Sequence, residues 1–85
     1  MTYSYTPSGV CSSRIDLELE NDVIKSVVFT GGCNGNLQGI GRLLQGMTAE
    51  EAISRLQGIQ CGPRPTSCPD QLSKALKEAL KKSRA

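Results

Sequence analysis

Residues 14–29, RIDLELENDVIKSVVF, constrain the fold more than any other part of the chain. The first half alternates apolar and acidic side chains, which is the pattern of a β-strand with one buried face. The polar triplet at residues 20–22 predicts a turn, and five apolar residues among the seven of 23–29 predict a second strand. Because this second run is mostly apolar, we expect it to lie inside the sheet, covered on both faces. An edge strand is predicted in TYSYT, residues 2–6.

After the second predicted strand, the apolar residues no longer recur at every second position but three or four positions apart. Leu37, Ile40 and Leu44 have this spacing and predict a short helix. The segment MTAEEAISRL predicts a second helix that begins with a capping box. In that motif the Thr48 hydroxyl caps the helix, and the Glu51 side chain reaches back to the Thr48 amide.

The third helix is predicted after Pro69, because proline suits the first turn of a helix. Residues 58–67, just before it, hold two glycines and two prolines and predict an irregular loop. Strands followed by helices indicate the α+β class: a small antiparallel sheet of two to three strands with about three helices packed on it. We expect a single domain over residues 1–85. The apolar positions expected to face inward on the last helix are Leu72, Ala75, Leu76, Ala79 and Leu80.

The glycine-rich stretch TGGCNGNLQGIG, residues 30–41, lies between a predicted strand and a predicted helix, where a phosphate-binding loop would lie. A dinucleotide fingerprint starting at Gly39 needs a glycine five residues later, where leucine stands, and no Gly-Lys-Ser/Thr triplet follows. We therefore expect no nucleotide binding by this loop. The glycine pair at 31–32 is predicted to turn the chain with positive φ. Gly35, Gly39 and Gly41 are expected to let the helix lie close to a neighbour.

All four cysteines fall outside the predicted apolar faces, at the ends of elements or in loops. Cys68 is predicted at the N-cap of the last helix and Cys33 at the start of the first. A helix N-terminus carries unpaired amides and a partial positive charge, which favour a thiolate. Thiolates bind zinc and iron–sulfur clusters, and four of them favour a closed tetrahedral zinc site of the structural kind. The predicted ligands are Cys11, Cys33, Cys61 and Cys68.

Two alternatives stay open for the cysteines: redox-active dithiols, with Cys61 and Cys68 as the nearest pair, or inert buried residues. Without a charged start before an apolar run or a long apolar segment, we expect a cytoplasmic protein with no membrane span and reduced thiols. The chain has no histidine, so cysteine–histidine and serine–histidine catalysis are absent and no catalytic residue is predicted. Asp70 is expected to stabilise the first turn of the last helix. A net charge of +2 argues against nucleic-acid binding.

Residues 66–70 spell TSCPD, and they are accompanied by GGCNGNLQGI and the pair Cys61-Gly62. In these motifs the chain resembles the TSCPD-domain family over most of its length. That domain also occurs at the carboxyl end of cobalamin-dependent ribonucleotide reductases. The resemblance implies a zinc-binding module carried by the four cysteines, not catalytic alone, whose protein partner is ribonucleoside-diphosphate reductase or a related redox enzyme. Cobalamin would belong only to the larger reductase.

The order of elements, the segment GMTAEEA and the cysteine that opens the last helix are also similar to U-type iron–sulfur assembly scaffolds. This likeness implies the scaffold fold, with Cys11, Cys33 and Cys68 holding zinc or a nascent cluster. The chain departs from the scaffold at Ser13, where the scaffold has aspartate, and at Ser67, where it has histidine. Both departures argue against cluster transfer. An iron–sulfur carrier and a dithiol relay for a reductase therefore stay as alternatives to the zinc module.

Overall fold

The computed structural model describes residues 1–32 and 34–83, in which a small sheet is followed by helices. This order confirms the α+β class predicted from the sequence. Within the described residues the strands are β1 (Thr2–Tyr5), β2 (Ser12–Glu20) and β3 (Val23–Gly31), and the helices are α1 (Asn34–Leu44), α2 (Ala49–Leu56) and α3 (Cys68–Ser83).

The sheet is antiparallel with the strand order β1-β2-β3, so β2 is the central strand. Ile15 of β2 pairs with Tyr5 on one side and with Phe29 on the other. The prediction that residues 23–29 form an interior strand is wrong, because β3 lies at the sheet edge and Val28 is 56% exposed. The inward-facing apolar side chains of β3 pack against α1 and the core. They are therefore buried without a second neighbouring strand.

The turn between β2 and β3 consists of Asn21 and Asp22, as the polar triplet predicted. Both residues have positive φ, 53° and 63°. Asn and Asp tolerate this region better than other side chains, and a two-residue loop with positive φ matches the twist of a hairpin. The turn sets the pairing of Glu20 with Val23 and so places the apolar face of β2 toward the helices.

The core lies between the sheet and α3. Ile15 of β2 and Leu72 and Leu76 of α3 are fully buried in the same cluster. Burying a leucine side chain contributes about 1.5–3 kcal/mol, so this helix face anchors α3 to the sheet. All five positions predicted to face inward on α3 are buried, which confirms the periodicity: Leu72, Ala75, Leu76, Ala79 and Leu80.

Helix α1 contacts β3 closely at Gly41. A Cβ atom at this position would lie 2.7 Å from the carbonyl oxygen of Val27, so only glycine fits. A Cβ at Gly35 or Gly39 would meet nothing within 4 Å. The prediction of close helix packing therefore holds for Gly41 alone among these three glycines.

Helix α2 begins at the predicted cap. The Glu51 amide donates to the Thr48 hydroxyl at 3.2 Å, while the Glu51 carboxylate accepts from Arg55 at 3.0 Å. None of the helices among the described residues has both the length and the apolar character needed to cross a membrane.

Candidate metal centre

Three cysteines from separate parts of the chain line one pocket of about 240 Å³. Cys11 lies just before β2, Cys61 lies in the loop before α3, and Cys68 is the first residue of α3. The pocket therefore lies where the segment before β2 meets α1 and the start of α3. The rest of its lining is mainly apolar and comprises Val10, Asn36, Leu37, Ile40, Arg64, Ser67 and Pro69.

The three thiols differ in exposure. Cys11 and Cys61 are exposed, Cys68 is half-buried, and all three are free of disulfides. Within residues 1–32 and 34–83, no three Cys, Asp or Glu side chains are already arranged as a formed metal site. Cys33, the fourth predicted ligand, lies outside the described residues.

The glycine pair before Cys33 turns the chain out of β3 at the edge of this pocket. Gly31 and Gly32 have φ values of 83° and 75°, the left-handed region that was predicted for them. A Cβ at Gly32 would lie 3.0 Å from Leu37 Cδ1 and 3.4 Å from the Ser12 amide nitrogen. The residue that precedes Cys33 thus packs beside Ser12, the neighbour of Cys11.

The start of α3 differs by one residue from the prediction. Cys68 was expected at the N-cap, but Ser67 caps the helix, because its hydroxyl accepts from the Asp70 amide at 3.1 Å and its carbonyl accepts from the Gln71 amide at 2.8 Å. A serine hydroxyl is a far better cap than a thiol. Cys68 is left free to reach β2, where its Sγ lies 3.3 Å from the Oγ of buried Ser12.

Asp70 closes the loop that carries Cys61. One carboxylate oxygen accepts from the Gly58 amide at 2.7 Å, and the other accepts from the Thr66 hydroxyl at 2.6 Å. The hydrogen bond from Thr66, followed by that from Gly58, holds the pKa of the Asp70 carboxyl below its usual value. Asp70 does lie in the first turn of α3, as predicted. Its second role was missed, although the spacing of four from Thr66 across a helix start was a signal for it.

Gln71 joins that loop to the amino-terminal segment that carries Cys11. Its side-chain nitrogen donates to the Thr66 hydroxyl at 2.9 Å, and its side-chain oxygen accepts from the Ser8 amide at 3.1 Å. Gln71 is 2% exposed, so water cannot replace these partners without opening the structure. Asp70 and Gln71 together fasten both cysteine-bearing loops to the first turn of α3. No motif or periodicity in the sequence indicates this role of Gln71.

A sequence profile of the TSCPD domain matches residues 1–80. The chain belongs to the TSCPD-domain family. No curated protein and no solved structure matches it. The likeness to iron–sulfur assembly scaffolds therefore stays a prediction.

The structure gives each residue of the TSCPD motif a separate contact. Thr66 donates to Asp70, Ser67 caps α3, Cys68 reaches Ser12, and Pro69 lines the pocket. Asp70 holds the preceding loop. Thr66, Ser67 and Asp70 thus hold the segment in place around the thiol of Cys68.

The donors of the pocket in this TSCPD domain suit zinc. Cys11, Cys61 and Cys68 supply soft sulfur ligands, and zinc takes four such ligands in a tetrahedron at about 2.3 Å. Cys33 is the one cysteine left to complete the set. The mainly apolar wall would lower the local dielectric on one side of the metal, while Cys11 and Cys61 stay exposed on the other.

Proposed function

We propose that this TSCPD domain is a zinc-binding module in which Cys11, Cys33, Cys61 and Cys68 hold one zinc ion. The convergence of three cysteines from distant segments on one pocket carries the proposal. Placed at the ends of β2 and α3, a zinc ion would tie the sheet to the last helix. A chain of 85 residues has a small core, and a metal is a common way to stabilise such a domain.

The module serves nucleotide reduction as an accessory part and is not catalytic alone. This part of the proposal is supported by the TSCPD motif, which resembles the domain at the carboxyl end of cobalamin-dependent ribonucleotide reductases. The chain has no histidine, and its zinc would be enclosed by four thiolates with no open position for substrate. Its partner would be ribonucleoside-diphosphate reductase or a related redox enzyme, in a cytoplasmic setting that keeps thiols reduced.

A second candidate is an iron–sulfur carrier. The exposure of Cys11 and Cys61 favours it, because a cluster that is passed to another protein must be reachable from outside. A dithiol relay through Cys61 and Cys68 is the third candidate. The two cysteines lie on the same pocket, and a relay would need them to form a disulfide in the folded protein.

Metal analysis of protein purified without chelator and without oxygen separates these functions. We expect about one zinc per chain and no visible absorbance, because zinc is colourless. A variant with all four cysteines changed to serine is the control and should hold no metal. A brown protein that contains iron and sulfide would favour the carrier. A fully folded, metal-free parent with four titratable thiols would overturn the zinc proposal.

The link to nucleotide reduction needs its own test. The zinc-loaded domain is added to a cobalamin-dependent ribonucleoside-diphosphate reductase whose own carboxyl-terminal TSCPD domain has been removed. We expect product formation to rise with the zinc-loaded parent and not with the four-serine variant. Equal product formation with and without the domain would contradict this role while leaving zinc binding intact.

A further inference from the structure

Arg64 reaches the cysteine pocket from a tightly folded loop. The Cys61 amide donates to the Thr66 carbonyl at 3.2 Å, and the Arg64 amide donates to the Cys61 carbonyl at 3.0 Å. This turn directs the Arg64 side chain back across the pocket. Its Nη1 donates to Cys11 Sγ at 3.6 Å, and the contact joins residues 53 positions apart.

All three described thiols line the same pocket as this one cation: Cys11, Cys61 and Cys68. Among the described residues that line the pocket, Arg64 carries the one permanent charge. The guanidinium therefore lies beside the thiols that are proposed to hold the metal.

A zinc site made of thiolates carries a net negative charge that a nearby cation would stabilise. Thiolates that are brought together repel one another before the metal binds. After binding, the negative charge of four thiolates still exceeds the positive charge of one Zn²⁺ ion. An N–H···S hydrogen bond from a guanidinium to a ligand thiolate partly offsets this negative charge, both in the metal-free site and in the zinc-bound site. Residues that act on ligands in this way often decide how tightly a metal is held.

We propose that Arg64 is a positioning residue that balances the charge of the metal centre by donating to the Cys11 thiolate, and so tightens zinc binding. The inference rests on the proposed zinc module. It assigns a role in metal retention to a residue outside the four ligands and outside the TSCPD motif.

The test compares the zinc affinity of Arg64→Gln, Arg64→Lys and the parent by competition with a chromophoric chelator. We expect Arg64→Gln to bind zinc about tenfold more weakly, at the low end for loss of a partner to a metal ligand because Arg64 is exposed. Arg64→Lys keeps the charge and should recover part of the affinity. Arg55→Gln is the matched control, since Arg55 pairs with Glu51 on α2 and should leave zinc affinity unchanged.

A salt series separates charge balance from a loop-folding role. Salt screens an exposed charge, so the difference between the parent and Arg64→Gln should shrink as ionic strength rises. A difference that persists at high salt, with no recovery in Arg64→Lys, would overturn the inference in favour of a structural role. So would equal affinity of Arg64→Gln and the parent. A parent that binds no zinc would instead overturn the proposed function, and this inference with it.

Discussion

The Asp70 carboxylate accepts a hydrogen bond from the Gly58 amide, 12 residues earlier in the chain, at 2.7 Å. Through this bond the first turn of α3 holds the entrance of the loop that carries Cys61. The bond from Thr66 to the same carboxylate holds the exit of the loop. One side chain thus fixes both ends of a segment that has no regular structure of its own.

Asp70→Asn should therefore destabilise the protein and weaken metal binding together. The amide group offers one acceptor oxygen where the carboxylate offers two, so either Gly58 or Thr66 loses its partner. Leaving such a group unpaired costs about 1–3 kcal/mol. Chemical denaturation with zinc titration measures both effects. Glu78→Gln on the exposed face of α3 is the matched control, and an Asp70→Asn protein as stable as that control would contradict the clamp.

The single cysteine variants report the number of ligands. Cys68→Ser should lose zinc and loosen α3, because Cys68 is both a proposed ligand and the first residue of that helix. Cys61→Ser should lose zinc to the same extent if the shell has four cysteines. Zinc stoichiometry and thermal melting of each variant provide the measurement. A Cys61→Ser protein that keeps its zinc and melts like the parent would favour three ligands, as in the scaffold comparison.

Gly41 and Gly39 should respond in opposite ways to alanine. Gly41→Ala places a Cβ 2.7 Å from the Val27 carbonyl oxygen and forces α1 away from β3, which should cost about 1–3 kcal/mol. Gly39→Ala meets nothing within 4 Å and should stabilise α1 by about 0.8–1 kcal/mol through helix propensity. Urea unfolding of the two variants is the measurement. A Gly41→Ala protein at least as stable as the parent would show that α1 does not rest on β3 at Gly41.

Asp16 should make the sheet sensitive to acid. The hydrogen bond from Ser4, followed by that from Arg14, holds the pKa of the Asp16 carboxyl below its usual value. A lowered pKa in the folded state adds stability that is present above the unfolded pKa of about 3.9 and is lost as pH falls through the folded value. The parent should be more stable than Asp16→Asn at neutral pH, and this difference should shrink below about pH 4.

Thermal melts of the parent and Asp16→Asn across this pH range check the prediction. Glu18→Gln, exposed on the same strand, removes a negative charge without removing the bond from Ser4. It serves as the control for net charge. A difference between the parent and Asp16→Asn that stays constant with pH would show that Asp16 acts through packing alone.

The parts of the fold that the sequence predicted are those coded by local patterns. The Asn21–Asp22 turn, the inward face of α3 and the Thr48 cap each depend on residues a few positions apart. The edge position of β3 was missed because apolar content reports burial and not which strands are neighbours. Helix α3 also starts one residue earlier than predicted, since both Ser67 and Cys68 stood at the helix start and the hydroxyl is the stronger cap.

The sequence predicted that the cysteines share a site, and it did not predict the contacts that support the pocket. Cysteines at the ends of elements pointed to a shared site, and the pocket brings Cys11, Cys61 and Cys68 to its wall. The contacts of Gln71 with Ser8 and of Arg64 with Cys11 span 63 and 53 positions. Pairs so distant leave no periodicity or motif in the sequence, so only the folded chain reveals them.

The position of Cys68 at the start of the last helix also determines when the pocket can form during synthesis of the chain. The strands pair in the order in which they occur in the chain, so all three strands of the sheet exist once residue 31 has been synthesised. Asp70 and Gln71, which fasten the loops around the pocket, belong to α3, the last of the described elements. On a ribosome that releases residues one by one, Cys11 emerges long before its partners on the pocket wall. A metal centre at this pocket would therefore be completed late, after most of the domain has been made.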